Sequence, residues 1–203
     1  CLAVDENGNE IDGDKLLAII STNLRKKGKL NKDTIVATVM SNLGLNKFTR
    51  DNGLELLQTK VGDRYVLEEM LKDGFNLGGE QSGHVILLDY NPTGDGILTS
   101  LMLIQTILEE GKKASELADM VKLYPQILIN AKVNSDKKYE YKEDKEINGA
   151  IDKLEKEFAG NGRVLIRPSG TEPLVRVMIE GENQEYITKK AQEIAKLIEK
   201  KLQ

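Results

Sequence analysis

Up to about Leu123 the apolar pattern alternates between short β-branched runs and helical stripes, and beyond that point the alternation stops. A chain that alternates strand and helix buries its strands in a sheet and lays the helices against it, which makes an α/β domain. Thr34 to Met40 reads as a buried strand, and Leu54 to Thr59 and His84 to Leu88 read as further strands. Asp12 to Asp14 offer a cap for a helix carrying Leu16, Leu17, Ile19, Ile20 and Leu24. A second helix falls around Asn46 to Asn52, and Asp63 is placed to cap a third with Val66, Met70 and Leu71 on one face. Gly96 to Glu110 is a helix with a broad apolar face of Ile97, Leu101, Ile104 and Leu108. At the start, Leu2 to Val4 and the residues around Ile11 read as two short strands about the Asp5-Glu6-Asn7-Gly8-Asn9 turn. That hairpin has no neighbouring strand in the pattern, so it is expected to be poorly ordered or to pair with another chain.

The pattern changes at Tyr124-Pro125. Ile127 to Val133 reads as a strand, Asn134 to Asp144 as a charged stretch without apolar period, and Ile147 to Phe158 as a helix. Two strands, Val164 to Ile166 and Leu174 to Ile179, lead to a last helix with Ile187, Ala191, Ile194, Ile198 and Leu202 on one stripe. The expectation is a small α+β domain over 127–203 behind an α/β domain over 13–123.

Composition narrows the function classes. The 203 residues carry a formal net charge of -4 with lysines scattered among glutamates, which argues against a nucleic-acid or anionic-membrane surface. No apolar run approaches the roughly 20 residues of a membrane span. The only cysteine is Cys1, so no intrachain disulfide forms and a cytoplasmic location is expected. Tryptophan is absent, which weakens any base-stacking reading.

Three loops carry the chemistry. The first is Arg167-Pro-Ser-Gly-Thr-Glu-Pro173, an elbow between two strands, with Arg176 following on the outgoing strand. Guanidinium forks, the hydroxyls of Ser169 and Thr171, and backbone N–H groups made accessible by Gly170 are the equipment of a phosphate clamp. The bland alternative is an ordinary turn whose arginine meets a surface glutamate. The second is Gly78-Gly-Glu-Gln-Ser-Gly-His84, a sharp turn exposing Glu80, Ser82 and His84. A carboxylate and a hydroxyl two positions apart can take neighbouring sugar hydroxyls, and His84 is the only side chain whose ordinary pKa lies near neutrality. A glycine-rich hairpin with a surface histidine is the competing reading. The third is Lys60-Val-Gly-Asp-Arg64, where Asp63 and Arg64 sit at a strand end and helix start, and capping by Asp63 is the simpler role. Two apparent metal loops fail. Asp5, Asn7 and Asn9 mimic the start of a calcium loop, but Glu10 stands at the glycine position and Leu16 at the closing glutamate. Asp12-Gly-Asp14 has no further carboxylate in register.

With these loops in order, the chain resembles the bacterial phosphoglucosamine mutase family of the α-D-phosphohexomutase superfamily. The resemblance rests on Thr38-Val-Met-Ser-Asn-Leu-Gly-Leu45, Val61-Gly-Asp-Arg-Tyr-Val66, Gly79-Glu-Gln-Ser-Gly-His84, Gly94-Asp-Gly96 and Arg167-Pro-Ser-Gly-Thr-Glu-Pro-Leu-Val-Arg176, which span nearly the whole chain. It implies a four-domain enzyme of which residues 1–12 are the end of domain two, 13–123 the α/β domain three that recognises sugar, and 127–203 domain four. Domain four is then a TATA-binding-protein-like antiparallel sheet with two helices. The implied reaction interconverts glucosamine 6-phosphate and glucosamine 1-phosphate through a phosphoserine and a bisphosphate, for amino-sugar nucleotide and cell-wall precursor synthesis.

Carried over by position, Glu80, Ser82 and His84 bind the sugar, with His84 a candidate for proton transfer. Arg167, Ser169, Gly170, Thr171 and Arg176 bind phosphate, and Asp63 and Arg64 stand where related mutases carry a different pair. The resemblance assigns Mg2+ to the intact enzyme, with no metal ligands in this chain. Its serine and metal loops lie in N-terminal domains of the same polypeptide, so the chain alone is expected to be inactive. A mutase acting on glucose or mannose phosphates and a stand-alone phosphosugar-binding module are the alternatives.

Overall fold

In the computed structural model, which describes residues 1–203, the chain divides into two units, Cys1–Leu123 and Tyr124–Gln203. The first opens with an antiparallel hairpin of β1 (Ala3–Val4) and β2 (Glu10–Ile11). Its turn is closed by Asp5, whose Oδ1 accepts the N–H groups of Asn7 and Asn9 at 2.8 Å. The carboxylate that mimics a calcium loop is thus consumed within the turn, and the Asn9 side chain above all holds its pKa below the usual range. The expectation that this hairpin is poorly ordered or pairs with another chain is corrected here, because it packs on its own unit. The Cys1 nitrogen donates to Gly83 O at 2.7 Å, Ser115 donates to Glu6, and Ile11 is fully buried. The short hairpin is anchored by its ends and its turn rather than by a longer sheet.

From there α1 (Gly13–Lys26) begins at Asp12, whose carboxylate accepts the Lys15 N–H at 3.0 Å, as the capping pattern predicts. Its stripe of Leu16, Leu17, Ile19, Ile20 and Leu24 is buried. β3 (Thr34–Thr38), α2 (Leu43–Asp51), β4 (Glu55–Thr59), α3 (Asp63–Asp73), β5 (Leu77–Gly79), β6 (Val85–Leu87), α4 (Gly96–Glu110) and α5 (Ala114–Ala118) follow. The sheet runs β4-β3-β5-β6, with β3 parallel to β4 and β5, and β6 antiparallel to β5.

Four details depart from the sequence reading. β5 has no β-branched residue to announce it. Its Gly78 is required by close approach, because a Cβ there would lie 2.6 Å from Met70 Sδ and 2.8 Å from Val36 O. α2 starts at Leu43 rather than Asn46, since the Asn42 side chain accepts the Gly44 N–H at 2.9 Å. Asp63 is not the cap of α3. That position is Gly62 at φ 128°, and Asp63 lies inside the first turn, where a carboxylate favours the helix dipole. On α4 the buried side is Thr99, Met102, Leu103 and Thr106, while the Ile97, Leu101, Ile104 and Leu108 stripe is exposed.

The second unit comprises β7 (Gln126–Lys132), α6 (Lys145–Phe158), β8 (Gly162–Pro168), β9 (Leu174–Gly181) and α7 (Gln184–Leu202). Asp144 caps α6 and Asn183 caps α7. The sheet is fully antiparallel in the order β7-β9-β8. Along β9 the residues alternate. Val175, Val177 and Ile179 enter a core shared with Ile187, Ala191, Ile194, Ile198 and Leu202 of α7. Each fully buried isoleucine of that stripe contributes about 1.5–3 kcal/mol. The intervening residues, Arg176 among them, therefore belong to the other face of the sheet. No helix of the chain is long and apolar enough to cross a membrane.

Candidate functional site

β8 extends to Pro168, so Arg167 is a strand residue and the elbow proper is Ser169 to Pro173. The antiparallel register sets Arg167 directly opposite Arg176, with Asn130 of β7 next in the same row. Like charges placed opposite one another destabilise a strand pair. Burial first, and the Arg176 charge second, lower the pKa of the Arg167 guanidinium. The Nε atoms of both arginines are buried and have no hydrogen-bond partner. Two guanidiniums in that arrangement are suited to an anion that accepts from both.

The elbow brings Glu172 onto Arg176 and Ser169 onto Glu172. Ser169 is 2% exposed, its N–H donates to Leu174 O at 2.8 Å, and its Oγ accepts the Glu172 N–H at 3.3 Å. Arg176 Nη2 lies 3.3 Å from Glu172 Oε2, so the arginine does meet a surface glutamate, as the bland alternative holds. Gly170 and Thr171 are exposed at the tip. A Cβ on Gly170 would meet nothing within 4 Å, so packing does not demand glycine there.

One contributor was not legible. Lys138 Nζ donates to Ser169 O at 3.0 Å and to Gly170 O at 3.5 Å, fixing the backbone of the elbow from the charged 134–144 stretch. The signal in that stretch was Tyr141, an aromatic residue among charges. It is buried, and its hydroxyl donates to Ile166 O at 3.1 Å.

In the first unit, β5 and β6 are joined by the Glu80–His84 turn. The Glu80 N–H donates to His84 O at 2.8 Å and the Gly83 N–H donates to Glu80 O at 3.0 Å. Glu80 Oε1 accepts the Gly62 N–H at 3.0 Å, and Asp63 Oδ2 lies 3.7 Å from His84 Nε2. The start of α3 is thus tied to the turn through both of its polar ends. The His84 ring rests on Gly94, where a Cβ would fall 2.3 Å from the ring, and Asp95 caps α4 by accepting the Ile97 and Leu98 N–H groups. Glu80 and His84 are half-buried and Ser82 is exposed.

Arg64 is not drawn into this cluster. Its Nε pairs with Glu68 at 2.7 Å along α3, and that partner raises its pKa. The structure therefore gathers Asp63, Glu80 and His84 around one turn and leaves Arg64 on its own helix. Hydroxyl, carboxylate and imidazole groups there match the donors and acceptors of a sugar ring. No group of three or more His, Cys, Asp or Glu side chains is arranged to hold a metal ion.

Comparisons with known proteins match the chain in two segments. Residues 12–124 match the family described as phosphoglucomutase/phosphomannomutase, alpha/beta/alpha domain III, and residues 128–197 match the phosphoglucomutase/phosphomannomutase C-terminal domain. The chain is 58% identical over 201 residues to phosphoglucosamine mutase of Ruminiclostridium cellulolyticum, and equally to that of Clostridium tetani. Each alignment takes in 99% of this chain and 45% of the other, so the chain spans about half the length of the curated relatives it matches. Among solved structures, an N-acetylphosphoglucosamine mutase of Aspergillus fumigatus superposes with a TM-score of 0.78 at 20% identity, over 98% of this chain and 45% of that one. An N-acetylglucosamine-phosphate mutase in its product complex, of the alpha-D-phosphohexomutase superfamily, gives 0.78 at 22% identity, over 98% and 46%. At such identities the likeness speaks for the fold.

Proposed function

The chain belongs to the phosphoglucomutase/phosphomannomutase family, and from that premise we propose that it supplies the sugar- and phosphate-binding part of a phosphoglucosamine mutase. The whole enzyme interconverts glucosamine 6-phosphate and glucosamine 1-phosphate in the cytoplasm. The observation that carries the reading is the cross-strand pair Arg167 and Arg176, two crowded guanidiniums whose Nε donors have no partner.

In this proposal Arg167, Arg176, Ser169 and the backbone around Gly170 and Thr171 hold the phosphate that is not being transferred. Glu80 and Ser82 take sugar hydroxyls. His84, with Asp63 and Gly94 beside its ring, contacts the ligand and serves as the proton carrier. The phosphoryl group passes from a phosphoserine to the sugar hydroxyl, and the bisphosphate so formed returns its other phosphoryl group to that serine. Both phosphates therefore take turns at the clamp. The relatives named above favour glucosamine over glucose or mannose as the sugar.

Calorimetric titration of the chain with glucosamine 6-phosphate tests the reading. Saturable binding with a Kd on the order of 1 mM, equivalent to about −4 kcal/mol, is expected, with no mutase turnover. Tighter binding of mannose 6-phosphate would move the assignment to the mannose branch. Absence of saturable binding for every hexose phosphate would remove it.

A further inference from the structure

The elbow carries its own anion. Glu172 Oε2 lies 3.3 Å from Arg176 Nη2 and accepts from Ser169 Oγ at 3.4 Å. These are two of the groups assigned to phosphate above, and the inference rests on that assignment. We infer that Glu172 is a built-in competitor for the clamp, which any anion has to displace before it engages Arg176 and Ser169.

Three observations support displacement. The Glu172 side chain is 53% exposed, so it can swing away without opening the core. The elbow does not depend on it for shape, because Lys138 holds the Ser169 and Gly170 carbonyls and the Ser169 N–H is bonded to Leu174 O. Arg167, the other half of the cation pair, has no ion pair with Glu172 and keeps its Nε without a partner, so the competitor neutralises only part of the site.

The competition sets a threshold that an anion has to exceed. A carboxylate brings one charge and two oxygens, whereas a phosphate monoester at neutral pH brings about −1.5 to −2 charges and three oxygens. If the competent, Glu172-free state is only a fraction of the population, every anion loses apparent affinity by that same fraction. Weakly held monoanions such as acetate then fall below useful binding, while a dianion that engages Arg167, Arg176 and Ser169 together remains bound. The same competitor helps the clamp let go, which suits a site that two phosphates occupy in turn.

The test is a calorimetric titration of the 203-residue chain and its Glu172→Gln variant with inorganic phosphate, and with acetate as the monoanion. The variant keeps the side-chain shape and loses the charge. It is expected to bind phosphate roughly three- to fivefold tighter, as removal of an exposed ion-pair competitor allows, with acetate affinity rising as well. Glu172→Asp, one methylene shorter and so poorer at reaching Arg176, should move in the same direction by less. Equal or weaker phosphate binding by Glu172→Gln, while the unaltered chain binds, would overturn the competitor role alone. Failure of both chains to bind phosphate would overturn the clamp and the competitor together.

Discussion

Replacing Arg167 by alanine is expected to lower phosphate affinity by about 10- to 100-fold, because charge-assisted hydrogen bonds are worth about 1.5–3 kcal/mol each. The fold should not suffer in parallel. Arg167 stands opposite Arg176, and burial and that neighbouring charge both disfavour its charged form. Removing it relieves the repulsion, so the thermal midpoint of the second unit should stay level or rise. Arg167→Lys should fall between, since a point charge replaces the planar fork. Calorimetry with inorganic phosphate, read beside thermal denaturation, separates the two effects. A variant that binds as well as the unaltered chain would exclude Arg167 from the clamp.

The largest stability effect is expected at Gly13. A Cβ there would lie 2.0 Å from Glu80 O, 2.7 Å from Gly83 N and 2.9 Å from Gln81 O. All three are backbone atoms of the Glu80–His84 turn, and the Gly13 N–H already donates to Gln81 O at 2.9 Å. Nothing flexible can give way. Gly13→Ala should cost about 3 kcal/mol, at the upper end of overpacking, and lower the midpoint of the first unit by about 10 °C. Gly149, on α6 with nothing within 4 Å of its would-be Cβ, is the control. Alanine there should stabilise by about 0.4–1 kcal/mol. Circular dichroism melts of both variants check the contrast, and a neutral Gly13→Ala would mean that the turn is not held against α1.

The pattern was legible where a single period governs a long segment. The α7 stripe, the α1 stripe and the β-branched β3 each announce their buried side, because burial alone selects those residues. β5 was hidden because its defining residue, Gly78, is chosen for what it leaves out. The capping of α3 was misplaced for a related reason: Asp63 is a capping residue by type, yet its carboxylate lies beside His84 and the helix starts from Gly62.

At the elbow the residues were readable and their register was not. Only strand pairing shows that Arg167 and Arg176 face one another, and only the fold brings Lys138 to Ser169. Glu172 was visible in the motif, but its contact with both Arg176 and Ser169 was not. The phosphate reading and the glutamate alternative turn out to describe the same groups.

Residue-resolved amide titration with glucosamine 6-phosphate tests the central claim most directly. The expected result is saturable movement of the signals from Arg167 to Arg176, with Glu80 to His84 responding as well, and silence along the Lys153, Glu157, Lys190 and Glu193 groove of α6 and α7. Shifts confined to that groove, or scattered without saturation, would contradict the account.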